Sequence, residues 1–183
     1  MIALHGFFAE AAATGEQALF DLTGAETEVE VQEIRATVLS DFGDRGLMLS
    51  DDLVAGVMGR LEGVMPGTMS LVAEPEEALL WARMAGDEDP VAHFVSLCAA
   101  WQEGVAESLG QLLGGGLELV GARLVESSEL QMLVQTHAPS DTVVFSSRLR
   151  IDARDEVLTA VCHMLMEPKY LAQLLSSLSA ASH

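Results

Sequence analysis

A stretch in the middle of the chain reappears, in order and spacing, near its end. The run RLEGVMPGTMSLVAEPEEALLWA, from Arg60, parallels the run SRLRIDARDEVLTAVCHMLMEPKYLAQLL, and the two Glu-Pro pairs in them lie 93 residues apart. A period of this length, occurring only twice, is too long for a solenoid repeat. It predicts one pseudo-twofold domain over residues 1–183 in which repeat one (about 1–88) and repeat two (about 90–180) share a core, because a half of about 90 residues buries its sheet poorly alone.

The apolar spacing predicts the same elements in both halves. Each half begins with a long helix that stops at glycine, continues with a strand and a hairpin, and ends with a helix opened by Glu-Pro. The predicted helices cover residues 2–23, 75–86, 91–113 and 169–179. The predicted strands cover residues 27–39, two stretches within 52–73, 117–126, 130–137 and two stretches within 142–166, with a further short strand near 47–49. The fold class is therefore α/β (α+β), with two long helices packed on a mostly antiparallel sheet.

The charge of the chain excludes several kinds of partner. Nine Lys and Arg stand against 28 Asp and Glu, which gives a formal net charge of −19. Such a surface repels phosphate backbones and anionic lipid headgroups, so neither nucleic acid nor a membrane is expected as a partner. The N-terminal apolar stretch lacks a basic flank, and no run approaches the about 20 apolar residues that a membrane helix needs. We therefore expect a cytoplasmic protein.

The residues that bind metals or act as nucleophiles do not form a recognised site. Cys98 and Cys162 each lie in an apolar run, as buried thiols do, and they are too few for a zinc site. No two histidines stand three or four residues apart, and His163 is interpreted as a hydrogen-bonded core residue. The serines lack a nucleophile elbow, and Gly114 to Gly116 follow a helix where a phosphate loop would precede one. No metal and no cofactor are expected.

Three segments carry a resemblance to a known family. The helix end ALFDLTG leads into EVEV, the run LEGVMPGTMSLVAEPEEALLWA combines two strands, a turn with Gly63 and Gly67 and a short helix, and the second half repeats this plan. This organisation resembles the CheC/CheX family of chemotaxis proteins, which is related to the flagellar switch proteins FliN, FliM and FliY. The resemblance implies an internally duplicated CheC-like domain that binds the phosphorylated receiver domain of a response regulator, or another chemotaxis or flagellar protein.

The same resemblance implies a catalytic motif that this chain does not complete. In the family, each long helix carries Asp or Ser, then three residues, Glu, two residues and Asn; the acid holds a cation and the amide orients the attacking water. This chain contains no asparagine. Alignment places Gly6 and Ala9 at the Glu and Asn positions of the first helix. In the second long helix, Ser96 or Leu97 takes the Glu position and Ala99 or Ala100 the Asn position.

The function expected from the resemblance is therefore binding by a non-catalytic or degenerate family member. The candidate binding residues lie on the two long helices: Glu10, Ser96, Glu103 and Glu107. Whether the chain is an enzyme stays open. If it is one, it is an aspartyl-phosphate phosphatase acting on a response regulator.

Two alternatives remain from the residues alone. Glu107 and Gln111 stand at i, i+4, with Glu103 one turn earlier, and the unrelated phosphatase CheZ uses an acid and a glutamine at that spacing; these residues also fit a solvated face opposite the stripe of Trp101, Val105 and Leu109. The other alternative is an unrelated α+β dimerisation module. In that case strands 130–137 and 142–151 would be sheet edges that pair in a homodimer.

Overall fold

The computed structural model describes residues 2–42, 54–86, 88–126, 139–153 and 156–181. Within these ranges the chain forms, in order, α1 (Ile2–Thr23), β1 (Thr27–Val38), a 3-10 turn (Leu39–Asp41), β2 (Ala55–Gly63), β3 (Gly67–Ala73), α2 (Pro75–Ala85), α3 (Pro90–Leu112), β4 (Leu117–Glu126), β5 (Val143–Ala153), β6 (Glu156–Met166) and α4 (Pro168–Ala181). The elements predicted in these ranges are confirmed. The strands predicted near 47–49 and over 130–137 lie outside the described residues.

Local signals place the helix ends. Both α2 and α3 carry proline at their first turn, where the missing N–H costs nothing. The Asp89 side chain, at the N-cap of α3, accepts a hydrogen bond from the Ala92 N–H at 3.1 Å. The long helices α1 and α3 are followed by Gly24 and Gly114, whose φ angles of 65° and 72° belong to the left-handed region that ends a helix.

The six strands form one antiparallel sheet in the order β1-β5-β6-β3-β2-β4. The first strand of each half pairs with the hairpin of the other half: β1 with β5, and β4 with β2. Exchanging β1, β2 and β3 with β4, β5 and β6 reverses this order and otherwise leaves it unchanged. The fold class expected from the sequence, α/β with a mostly antiparallel sheet, is confirmed.

The expectation that residues 142–151 form a sheet edge is wrong. They lie in β5, which pairs with β1 on one side and with β6 on the other. The edge position was expected only under the alternative of a dimerisation module. The alternating polar side chains Arg148, Arg150 and Asp152 point away from the helices, on a strand that has neighbours on both sides. Arg148 and Arg150 lie opposite Glu33 and Glu30 of β1.

The core lies between the sheet and the helices. The ring of Phe8 on α1 stacks on Phe145 of β5, with centroids 4.6 Å apart, and Trp81 of α2 meets Phe94 of α3 edge-on. The cysteines belong to this core as free thiols, as predicted. Burial raises the pKa of Cys162 to about 12 and raises that of Cys98 as well, so both stay protonated and unreactive at neutral pH.

Candidate partner-binding surface

The two long helices α1 and α3 cross in close contact above the sheet. The Thr14 Oγ1 atom lies 2.7 Å from Ser108 Oγ, and the indole of Trp101 packs over Gly15. A Cβ placed on Gly104 would lie 2.9 Å from the Cα of Gly15, so the backbones approach as closely as two glycines allow. Short turns join α1 to β1 and α3 to β4. Since β1 and β4 run in opposite directions across the antiparallel sheet, the two helices run antiparallel.

The polar residues predicted for α3 form a single exposed stripe. Ser96, Glu103, Glu107 and Gln111 are exposed, at spacings that return to one side of a helix. On the opposite side, the residues Trp101, Val105 and Leu109 are buried. The predicted solvated face opposite that apolar stripe is therefore present. On α1, Glu10 is exposed in the same way.

The residues that the resemblance aligns with the family's catalytic motif differ in their exposure. On α1, both Gly6 and Ala9 are exposed. On α3, Ser96 is exposed and Ala99 is half-buried, whereas Leu97 is fully buried in the core. The alignment that uses Leu97 would turn the Glu position inward, so only Ser96 with Ala99 places the motif on the outer surface of α3.

The acid and the amide of the alternative catalytic pair bind each other. Gln111 Nε2 donates to Glu107 Oε1 at 3.2 Å, with both side chains exposed. A comparable pair on α1 was missed from the sequence: Gln17 Nε2 donates to Asp21 Oδ1 at 2.7 Å. The signal that could have found it is the same i, i+4 spacing of an acid and a glutamine. In both pairs the amide N–H that faces the carboxylate is already engaged.

The antiparallel crossing separates the candidate residues into two groups. The contact between Thr14 and Ser108 places Glu10, one turn before Thr14, beside the end of α3 that carries Glu107 and Gln111. Ser96 lies toward the opposite end of α3, beside the last turns of α1. The candidates Glu10 and Glu107 are therefore brought to one end of the surface, and Ser96 to the other.

The surface formed by α1 and α3 is anionic, because neither helix contains a lysine or an arginine. Arginines lie instead on the sheet face away from these helices. There Arg150 contacts Asp152 at 3.1 Å, and Arg148 lies 3.9 Å from Glu33. A partner that docks on α1 and α3 meets carboxylates, amides and small apolar side chains.

His163 lies on the sheet face opposite the helices, in the middle of β6. Its Nδ1 atom is 2.9 Å from Ser146 Oγ, and the ring of Phe42 meets it edge-on at 5.2 Å. Burial lowers the His163 pKa to about 4, which keeps the imidazole neutral. No described carboxylate bonds this ring, so the pair lacks the acid of a catalytic triad. The hydrogen-bond partner expected for His163 is present, but the ring is half-buried on the outer face of the sheet, whereas the sequence had suggested the core between the sheet and the helices.

The described parts of the chain hold no cluster of three or more His, Cys, Asp or Glu placed to bind a metal. Of the helices in those parts, none combines the length and the apolar character needed to cross a bilayer.

Comparison with known proteins finds similarity in structure but not in sequence. No family model matches the sequence, and no curated protein is detectably similar to it. FliY from Thermotoga maritima is similar in structure, with a TM-score of 0.72 at 11% identity, over 93% of this chain and 90% of that one. A chain of the FliG–FliM complex from H. pylori gives 0.63 at 11% identity, over 95% and 96%. A chain of the CheX–CheY–BeF3–Mg complex from Borrelia burgdorferi gives 0.51 at 13% identity, over 88% and 98%.

These similarities extend over nearly the whole length of both chains in each comparison. They include proteins of the flagellar switch and proteins of chemotaxis, as the resemblance in sequence implied. The chain has the fold shared by FliY, FliM and CheX.

Proposed function

We propose that this chain is a chemotaxis or flagellar switch protein that binds its partner through the exposed faces of α1 and α3. The partner is the receiver domain of a response regulator or another protein of the switch. Two neighbours support this choice, because one was solved as a CheX–CheY complex and the other as a FliG–FliM complex. The proposed role is binding without catalysis.

One observation carries the non-catalytic part of the proposal. The chain contains no asparagine, and the residues that the resemblance aligns with Glu and Asn of the family are Gly6 and Ala9 on α1, and Ser96 or Leu97 with Ala99 or Ala100 on α3. None of these side chains can hold a cation or orient a water through an amide. The exposed faces of α1 and α3 could therefore still bind a partner, although they lack the Glu and Asn side chains of the family's motif.

The binding proposal is tested by titrating the full chain with a receiver domain, with and without beryllofluoride. The variants Ala13→Arg and Ser96→Arg place a bulky cation on the exposed faces of α1 and α3. Each should weaken binding by about tenfold or more, since both residues are small and lie where the partner would contact. The control Gln173→Arg, on the exposed side of α4, should leave binding unchanged. Equal losses in all three variants would contradict docking on this surface.

Restoring the motif tests the catalytic part. The double variant Ser96→Glu with Ala99→Asn recreates Glu-x-x-Asn on the outer surface of α3, and it should speed the loss of receiver aspartyl phosphate while the native chain does not. The control Ser96→Glu with Ala99→Asp has the acid without the amide and should stay inactive. If the native chain is active and Gln111→Ala abolishes this activity, then the pair of Glu107 and Gln111 is the catalyst and the adaptor proposal is wrong.

We also propose that residues 1–88 and 90–180 are two copies of one ancestral unit. The palindromic strand order supports this, as do the bulges that interrupt both edge strands, after Val31 in β1 and opposite Gly59 in β4. The helix-ending glycines 24 and 114 lie 90 residues apart, and the buried residues Trp81 and Leu174 occupy equivalent places after the two Glu-Pro pairs.

A further inference from the structure

The inner side of α3 carries a glutamine among apolar residues. Gln102 is fully buried, as are Trp101, Val105 and Leu109 of the same helix. Its Nε2 atom donates a hydrogen bond to the carbonyl oxygen of Val57, on β2, at 3.2 Å. Its Oε1 atom is buried and has no hydrogen-bond partner among the described residues. A buried acceptor left unpaired costs free energy, and an apolar side chain of the same size would avoid that cost.

The hydrogen bond from Gln102 lies where it can fix the position of α3 over the sheet. In sequence, Gln102 stands between Trp101 and Gly104, the two residues of α3 that contact Gly15 of α1 at the crossing. Apolar contacts are non-directional and survive a small displacement of a helix, whereas a hydrogen bond is lost beyond about 3.5 Å. The amide of Gln102 therefore fixes the crossing at one place along β2.

The other long helix, α1, is bonded to the sheet by different residues. Glu16 Oε1 accepts a hydrogen bond from the Val29 N–H at 2.6 Å, and His5 Nε2 lies 2.9 Å from the Val31 carbonyl oxygen. Because α1 is bonded to β1 and α3 to β2, the sheet sets how far one helix is shifted along the other. The glycines at the crossing set only how closely the two helices approach.

We propose that Gln102 is a positioning residue for partner binding, which holds α3 at the place where the exposed residues of both long helices form one surface. This inference rests on the proposed function, since those exposed residues are the ones assigned to the partner. Glu103 follows Gln102 directly, and Ser96 lies on the same outer side of α3, so a shift of the helix displaces both. Replacing the amide should therefore weaken binding more than it weakens the fold.

Gln102→Met tests the proposal with a side chain of similar length that makes no hydrogen bond. Its urea midpoint should stay close to that of the native chain, because apolar burial offsets the loss of one hydrogen bond. Its dissociation constant for a receiver domain with beryllofluoride should rise by about fivefold or more. Gln102→Leu should repeat this result. The control Leu109→Met changes another buried side chain of α3, one without a polar atom, and should leave binding unchanged.

A distance measurement makes the test independent of the partner. Spin labels on the exposed faces of α1 and α3, introduced through Ala13→Cys with Ser96→Cys, report the placement of the two helices by pulsed electron paramagnetic resonance. The two native cysteines are buried, so they should take up no label. Adding Gln102→Met to this background should shift the distance between the labels or broaden its distribution, and adding Leu109→Met should do neither.

An unchanged distance in the Gln102→Met protein would overturn the proposal, as would an unchanged affinity in a chain that binds the receiver domain. A loss of binding no larger than the unfolded fraction of the variant would also overturn it, because Gln102 would then have a purely structural role. If the native chain does not bind the receiver domain, the proposed function fails separately, and the distance between the labels still decides whether Gln102 positions α3.

Discussion

At the scale of single residues, the distance between α1 and α3 depends on two glycines. Gly15 and Gly104 face each other at the crossing, and Trp101 occupies the space beside Gly15. A side chain at Gly104 would also lie 2.9 Å from the carbonyl oxygen of Thr14, which belongs to helix backbone and cannot move aside alone. The surface proposed for binding therefore keeps its geometry only while both positions lack a side chain.

Gly104→Ala tests this constraint. Alanine favours a helix by about 1 kcal/mol over glycine, but overpacking of helix backbones costs about 1–3 kcal/mol, so the variant should lose about 1 kcal/mol of unfolding free energy. The matched control is Gly6→Ala, at an exposed position of α1 where a Cβ meets nothing within 4 Å, and it should gain about 0.5–1 kcal/mol. Urea unfolding measures both changes, and a Gly104→Ala protein more stable than the native chain would refute the tight crossing.

His163 makes stability depend on pH. Its pKa falls from 6.5 in the unfolded chain to about 4 in the folded protein because burial disfavours the imidazolium. This contribution is complete above pH 6.5 and is lost as the pH falls toward 4, an effect of about 3 kcal/mol. Relative to His163→Gln, the native protein should therefore lose stability over that interval. A difference between the two proteins that stays constant from pH 6.5 to 4 would contradict the assignment.

The apolar strand around His163 suggested a core position, whereas the ring lies half-buried on the outer face of the sheet, and its partner could not be predicted. Ser146 lies 17 residues earlier, and only the register of β5 against β6 places the two side chains opposite each other. The sequence likewise could not show which of Ser96 and Leu97 faces outward. The sequence left both as candidates for one motif position, and only the structure shows that Ser96 is exposed and Leu97 is buried.

At the scale of elements, the Glu77 side chain of α2 accepts a hydrogen bond from the backbone of the sheet. The strand β6 extends past the last residue of β3, since the final pair is Ala73 with Ala160. The next N–H along β6, that of Thr159, donates to Glu77 Oε1 at 3.1 Å. Burial raises the pKa of Glu77, and repulsion from Glu74 raises it further, against the opposing effect of hydrogen bonds from the backbone of Thr159 and Glu74.

Two variants separate the hydrogen bond from the charge. Glu77→Gln keeps an acceptor for Thr159 and removes a disfavoured charge, so at neutral pH it should be as stable as the native protein or more so. Glu77→Leu leaves the N–H unpaired and should lose about 1–3 kcal/mol. Because the pKa is raised on folding, protonating Glu77 in acid stabilises the native protein, and the advantage of Glu77→Gln should shrink as the pH is lowered through that pKa. Thermal unfolding at several pH values measures this, and equal losses in both variants would rule it out.

Element types and bounds could be predicted because their signals are local. The helices were predicted from signals within a few neighbouring residues. These signals are the spacing of apolar residues, Pro75 and Pro90 in the first turns, and the glycines that end the helices. Strand neighbours are set by pairings across most of the chain, which no local pattern contains. This is why the dimerisation alternative could place residues 142–151 at a sheet edge, whereas β5 lies between β1 and β6.

At the scale of the whole molecule, the prediction of the architecture depended on the spacing of similar segments along the chain more than on amino-acid composition. The 93-residue shift between the Glu-Pro pairs predicted one domain with two related halves, and the duplication stays a prediction. The binding surface was only partly predictable. The sequence indicated which residues α1 and α3 would expose, but the antiparallel crossing decides which of them become neighbours.

The exchange of first strands between the halves has a mechanical consequence. Because β1 pairs with the hairpin of the second half and β4 with the hairpin of the first, neither half completes its part of the sheet from its own strands. Separating the two halves would therefore require the hydrogen bonds of three ladders to break together: β1 with β5, β4 with β2, and β3 with β6.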